Sequence, residues 1–177
     1  MTNTMRPLLA ASVGGLAIWA LACAGAPRQR PVPLGEVDTG PGSVEYVRRQ
    51  LQGEWELLSL TTFDAGGAGT ERAATGRLTF DEFGNLEIAG QLNETQPGTT
   101  ATSGPFLRYS GRVVIDTAQQ ALILQDIEGN IPPSEGLPPE LAVSPVRYYT
   151  FDGNLLRTSV RDAGDRTTAE LTWRRLD

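Results

Sequence analysis

The chain has 177 residues, 15 basic and 21 acidic, with a formal charge of -6 at pH 7; every basic residue is Arg, with no Lys and no His. An apolar share of 40% and a charged share of 20% are those of a globular chain, which excludes wholesale disorder and a polytopic membrane protein, and the acidic balance excludes a nucleic-acid binder, which needs a clustered basic surface. The missing His removes the usual general base and the commonest metal ligand, and the single Cys removes intrachain disulfides and Cys-based zinc sites, so no catalytic residues, metal or cofactor are expected.

In chain order, Arg6 is the only charge ahead of a fifteen-residue apolar run, LLAASVGGLAIWALA, from Leu8 to Ala22. A positive start followed by a short apolar stretch is the build of a secretory signal. The run is shorter than the roughly 20 residues needed to span a bilayer as a helix. It ends in Ala20-Leu21-Ala22-Cys23, which resembles a bacterial lipobox. That resemblance implies cleavage before Cys23, acylation of its sulfur and anchoring to the cell envelope, with Ala24 implying sorting to the outer membrane where the cell has one. An unpaired thiol in an exported protein is open to oxidation, and acylation removes that exposure. One acyl chain binds a bilayer only marginally, at about 0.8 kcal/mol per buried methylene, so several chains are what make a stable anchor. The segment from Ala24 to Gly42 holds four Pro and four Gly without hydrophobic periodicity, the composition of a tether. The expected organisation is a signal over 1–22, a tether with lipidated Cys23 over 23–42 and a folded domain over 43–177.

Ser43 is a candidate N-cap for one short helix whose Val44, Val47 and Leu51 form an apolar stripe, with Gly53 at its end. The pattern then changes to period two. Strands are predicted over Glu54–Phe63, Thr75–Phe80, Asn85–Leu92, Phe106–Asp116, Ala121–Ile127, Val146–Phe151, Leu155–Arg161 and Thr167–Arg174. Their connections alternate: long at 64–74, 93–105 and 128–145, tight at 82–84, 117–120 and 152–154, with a five-residue link at 162–166. In a meander successive loops fall at opposite ends, which places the irregular chain at one end. The predicted fold is all-β, an eight-stranded up-and-down antiparallel barrel with one short N-terminal helix. A sandwich of two sheets is the alternative.

Gly53-Glu54-Trp55 at the start of the first strand, and Trp173-Arg174-Arg175 at the end of the last, resemble the structural signature of lipocalins and the wider calycin group. That resemblance implies an Arg packed across Trp55 at the closed end of the barrel. Arg175 shares a face with Trp173 and Arg174 lies opposite; both remain candidates. The ordered segments GEWELLSL, GRLTFDEFGNLEI, YSGRVVID, VRYYTFDGNLL and LTWRR resemble the bacterial lipocalin-like domain group over most of 51–175.

Leu78, Phe80, Leu86, Ile88, Tyr109, Val113 and Ile115 recur at period two and form the expected inward set. The strand arginines are Arg77, Arg108, Arg112, Arg147, Arg157 and Arg161. Without Lys, most of them serve solvation and pair with acids on the outside. Arg147 with Tyr149 makes an Arg-x-Tyr pair that resembles the carboxylate clamp of fatty-acid-binding proteins, and Arg108, Tyr109 and Arg112 are further candidates. Arg offers a carboxylate a planar bidentate fork. The acids Asp126 and Glu128, and Asp81 and Glu82, fall at strand ends and turns, where acids solvate the surface. The functional expectation is a monomeric, non-enzymatic lipoprotein that binds a small apolar or amphipathic ligand in its barrel. The alternative is a structural or envelope-interaction lipoprotein with a filled barrel. An inward pocket of roughly 300 Å3 or more separates the two.

Overall fold

The computed structural model describes residues 38–94, 102–130 and 137–176. Cys23, the segment 1–22 and residues 23–37 of the expected tether lie outside the described residues. The elements in order are α1 (Val44–Leu51), β1 (Gly53–Phe63), β2 (Gly69–Arg72), β3 (Ala74–Phe80), β4 (Asn85–Glu94), β5 (Thr102–Asp116), β6 (Ala121–Asn130), α2 (Glu140–Val143), β7 (Val146–Asp152), β8 (Leu155–Arg161) and β9 (Thr167–Leu176). All strand pairings are antiparallel. β1 and β3 to β9 pair in chain order, and β1 pairs β9 to close an eight-stranded barrel; β2 adds a ninth strand along the second half of β1.

The meander and its eight barrel strands agree with the sequence reading, and two elements do not. The stretch 64–74 is a tight turn followed by β2, not a long loop. The short helix α2 falls inside the Pro-rich stretch, so α1 is not the sole helix. Both differences have local causes. Asp64, Asp81 and Asp162 build the same five-residue turn. In each, the Asp Oδ1 accepts from the backbone N–H groups two and four residues on, Gly66 and Ala68, Phe83 and Asn85, and Gly164 and Arg166, at 2.8–3.0 Å. In each, the Asp N–H donates to the carbonyl four residues on, and the residue before that one (Gly67, Gly84 or Asp165) takes a positive φ. Such Asx geometry favours a hairpin, so the first of these turns sends the chain back along β1. α2 follows Pro138-Pro139, with Pro139 at its N-cap, and Pro is well tolerated where a helix starts.

α1 forms as expected. The Ser43 Oγ accepts from the Tyr46 N–H at 3.1 Å, and Val47 and Leu51 are buried against the barrel. Gly53 sits at φ +124°, a conformation that L side chains rarely adopt, which explains the glycine at the junction of helix and strand. The core alternates at period two on β8 (Leu156, Thr158, Val160) and β9 (Ala169, Leu171, Trp173), and on β1 Trp55 and Leu57 follow it until a bulge between Leu57 and Ser59 brings Leu60 inward; all are buried. Each large apolar side chain so enclosed contributes about 1.5–3 kcal/mol. Of the expected inward set, Leu78, Phe80, Leu86, Ile88 and Tyr109 are buried, and Val113 and Ile115 are partly buried against them.

The register of β1 on β9 decides between the two arginines. Trp55 is the direct partner of Arg175, and Glu56 that of Arg174. Trp55 faces inward, so Arg175 lies beside it, its guanidinium carbon 4.6 Å from the ring centroid. The same guanidinium donates to the carbonyls of Gln52 (3.0 Å) and Gln50 at the end of α1, while the Trp55 Nε1–H donates to the Leu51 carbonyl at 2.8 Å. Arg174 points outward and pairs with Glu56 at 2.6 Å. Removing a cation–π contact together with two hydrogen bonds to helix-end carbonyls costs about 2–3 kcal/mol, against at most about 1 kcal/mol for an exposed ion pair. Arg175→Ala is therefore expected to lower the urea midpoint well below that of Arg174→Ala, measured by tryptophan fluorescence; equal midpoints would contradict this assignment.

Candidate functional site

Alternation along β7 turns Arg147 and Tyr149 into the barrel, where they are 6% and 4% exposed. Tyr109 enters from β5 and is also buried. Arg108 and Arg112 flank Tyr109 on the opposite face of β5 and are exposed on the outside of the barrel; an interior role for them is thereby corrected, because period two cannot place neighbours of an inward Tyr109 on its own face. Arg77 points outward and pairs with Glu54 at 2.9 Å. The acids Asp126 and Glu128 are exposed on β6 and Glu82 is exposed in a turn. Asp81 is the acceptor of its hairpin turn. Enclosure works to raise its pKa, but hydrogen bonds from Asn85, Phe83 and Gly84 outweigh this and hold it below the usual carboxylate value. Among the described residues no group of three or more His, Cys, Asp or Glu is gathered to hold a metal ion.

A buried guanidinium is costly unless its donors are engaged. Arg147 Nη1 donates to the carbonyls of Ser144 (2.6 Å) and Val146 (3.1 Å), and Nη2 to that of Leu141 (2.8 Å). Two of these carbonyls lie on α2 or at its end, where a helix leaves acceptors unpaired and favours positive charge. No carboxylate pairs with Arg147 among the described residues. The side chain therefore holds α2 in place across the long-loop end of the barrel, and Leu141 on α2, 3% exposed, faces the interior.

Beneath Leu141 and Arg147 lies a cavity of about 20 Å3, walled by apolar side chains that include Leu78, Ile88, Leu124 and Leu171, with Tyr109 at its edge. That is room for about one water molecule and an order of magnitude below a small-molecule site. Trp173 and Thr158 also reach the cavity, and the Trp173 Nε1–H donates to Thr158 Oγ1 at 3.0 Å. Tyr149 packs instead against Phe151, ring centroids 5.6 Å apart, and Phe151 in turn lies 6.4 Å from Trp55. The structure thus brings Arg147 and Tyr109 to one cavity, turns Tyr149 toward the floor and leaves Arg108 and Arg112 outside. The sequence reading missed Leu141 and α2; the signal for them was the Pro-Pro pair ahead of Glu140-Leu141.

Burial pushes the Tyr109 hydroxyl above its ordinary 10.0, with the Arg147 guanidinium beside it pulling the other way. Burial also raises Tyr149, helped by the charge of Asp116.

No family model matches the chain, and no curated protein matches it. Among solved structures it is similar to Rv2717c from M. tuberculosis, with 14% sequence identity and a TM-score of 0.34 over 79% of this chain and 100% of that chain. That likeness bears on neither ligand nor activity.

Arg147→Ala leaves carbonyls inside the barrel without donors and releases α2. It is expected to cost about 2–4 kcal/mol in urea unfolding and to increase amide exchange at Leu141–Ser144; unchanged exchange there would contradict the role given to Arg147. Because the folded-state pKa of Tyr109 lies above its unfolded value, its contribution to stability is complete below 10.0 and is lost as pH rises through the raised value. Stability followed by circular dichroism is expected to begin falling as pH rises past 10.0, and less steeply in Tyr109→Phe.

Proposed function

We propose that this protein is a lipid-anchored lipoprotein of the cell envelope whose lipocalin-like barrel is a packed scaffold for contacts at its surface, with no enzymatic activity of its own. The anchor rests on the lipobox-like sequence ending at Cys23, on the lone cysteine and on the Pro- and Gly-rich stretch that follows. The lipocalin-like assignment rests on the Gly53, Trp55 and Arg175 arrangement at one end of an eight-stranded meander. The observation that carries the scaffold reading is the interior itself: about 20 Å3 of open volume, with the one buried guanidinium among the described residues already engaged by main-chain carbonyls. Its partners are the bilayer, through acylated Cys23, and whatever the exposed faces meet. The domain acts as a monomer.

One observation favours a second reading, in which the barrel takes a small apolar or amphipathic ligand. The cavity walls are apolar, and its cover is a four-residue helix held by buried Leu141 and by the hydrogen bonds of Arg147. Displacing α2 would enlarge the space and free Arg147 to grip a carboxylate. Native mass spectrometry of protein purified from its own host separates the two. The scaffold reading expects the mass of the chain from Cys23 with its acyl chains and nothing more; a co-purifying small molecule lost from Arg147→Ala would replace it with the second. Cys23→Ser is expected to move the protein from the membrane to the aqueous fraction, and equal retention in the membrane would overturn the anchor.

A further inference from the structure

The outer face of β7, β8 and β9 carries a groove of about 110 Å3 that neither reading of the barrel interior uses. Tyr148, Ser159 and Glu170 are direct partners across the three strands and lie along it. Arg157 and Arg161 stand two residues either side of Ser159 on the same face of β8. Glu170 is therefore diagonal to Arg157, at a backbone spacing of roughly 7–8 Å that long side chains can bridge, while a register shift between Val160 and Arg161 displaces Arg161 from the regular diagonal. Neither bridges it. Arg161 is held away, since its Nη1 pairs with Asp165 at 2.9 Å and its planar head lies 3.8 Å over the Tyr148 ring, with Nε enclosed and without a partner. Arg157 and Glu170 make no ion pair among the described residues. Gln119 and Gln120, from the turn between β5 and β6, close one side of the groove. That side is fixed to the sheet where the Tyr149 N–H donates to the Gln120 carbonyl at 2.8 Å.

We propose that this groove is a binding site for a saccharide. The chemistry of its wall favours hydroxyl groups over charges. The two Gln amides and the Ser159 hydroxyl can each both donate and accept, Glu170 only accepts and Arg157 only donates. A sugar ring offers vicinal hydroxyls that also do both, so a single ring engages the amides, the carboxylate and the guanidinium at once. A zwitterion of amino-acid size would use Glu170 and Arg157 alone and leave both amides without a role. Glu170 and Arg157, both lining the groove and making no ion pair with each other, are the charged groups such a ring would engage from its two sides.

The site is testable on the full chain in detergent, probed with an array of hexose and N-acetylhexosamine oligosaccharides and then by isothermal titration with those retained. Saturable binding is expected, weakened about tenfold or more by Glu170→Ala and by Arg157→Ala, a loss of about 1.4 kcal/mol or more, and unchanged by Arg77→Ala on β3. Both groove substitutions are at solvent-facing positions, and an unchanged thermal midpoint checks that the barrel is intact; Glu170→Gln supplies the same test with the side-chain shape kept. The proposal is overturned if no saccharide binds at millimolar concentration, if binding survives both substitutions, or if free glycine or alanine displaces the sugar.

Discussion

An arginine inside a protein needs acceptors for its N–H groups, and the end of a short helix has carbonyls that need donors. This barrel matches the two needs at both of its ends. Arg175, inward from β9, meets the carbonyls of Gln50 and Gln52 where α1 stops, and Arg147, inward from β7, meets those of Leu141 and Ser144 where α2 stops. A closed sheet has no free edges, but it has two open ends, and each is covered by a helix too short to be stable alone. At each end a strand arginine joins the buried apolar side chains of the helix, Val47 and Leu51 on α1 and Leu141 on α2, in fixing it to the barrel. The contact at the α2 end leaves Arg147 engaged, while the small interior volume is set by the buried side chains that fill the barrel, Trp55, Trp173, Leu60 and Leu156 among them.

The two ends are not equivalent. At the α1 end, Arg175 also stacks on Trp55, which is 1% exposed and is itself bonded to Leu51; helix, strand and arginine hold one another in a closed set. At the α2 end the cover is four residues long, has no side-chain N-cap bond and depends on Arg147. Local opening draws on the elements with the fewest buried contacts, so the α2 end is the one that opens most readily. The asymmetry keeps the carrier reading alive beside the scaffold reading.

The outside of the barrel follows a different logic. With every basic residue an Arg, the surface carries planar guanidiniums in place of flexible ammonium groups, and these stack and pair in fixed directions. Arg161 over Tyr148 and Arg174 on Glu56 are instances. The same fixed directions leave Glu170 between two arginines and bonded to neither, which makes the β7–β9 face a candidate for recognition of an outside ligand.

Much of the fold was legible in the sequence, because strand alternation and turn residues are local signals. Eight strands, the Ser43 cap and the tight turns at 82–84, 117–120 and 152–154 follow from period and from Asp, Gly and Pro placement. β2 was hidden because its turn, Asp64 to Ala68, sits among glycines that read as loop, although Asp64 heads the same turn as Asp81 and Asp162. The candidate site was half legible: period two put Arg147, Tyr149 and Tyr109 inward, but period alone says nothing about what an inward side chain meets. Only the closure of β1 on β9 chose Arg175 over Arg174 for Trp55, since choosing required the register between strands far apart in the chain. Only the folding of α2 onto the barrel showed that the donors of Arg147 are engaged and the interior nearly full. The strand pattern of the protein is written residue by residue, whereas the state of its interior depends on contacts between segments far apart in the chain, and these exist only once the barrel has closed.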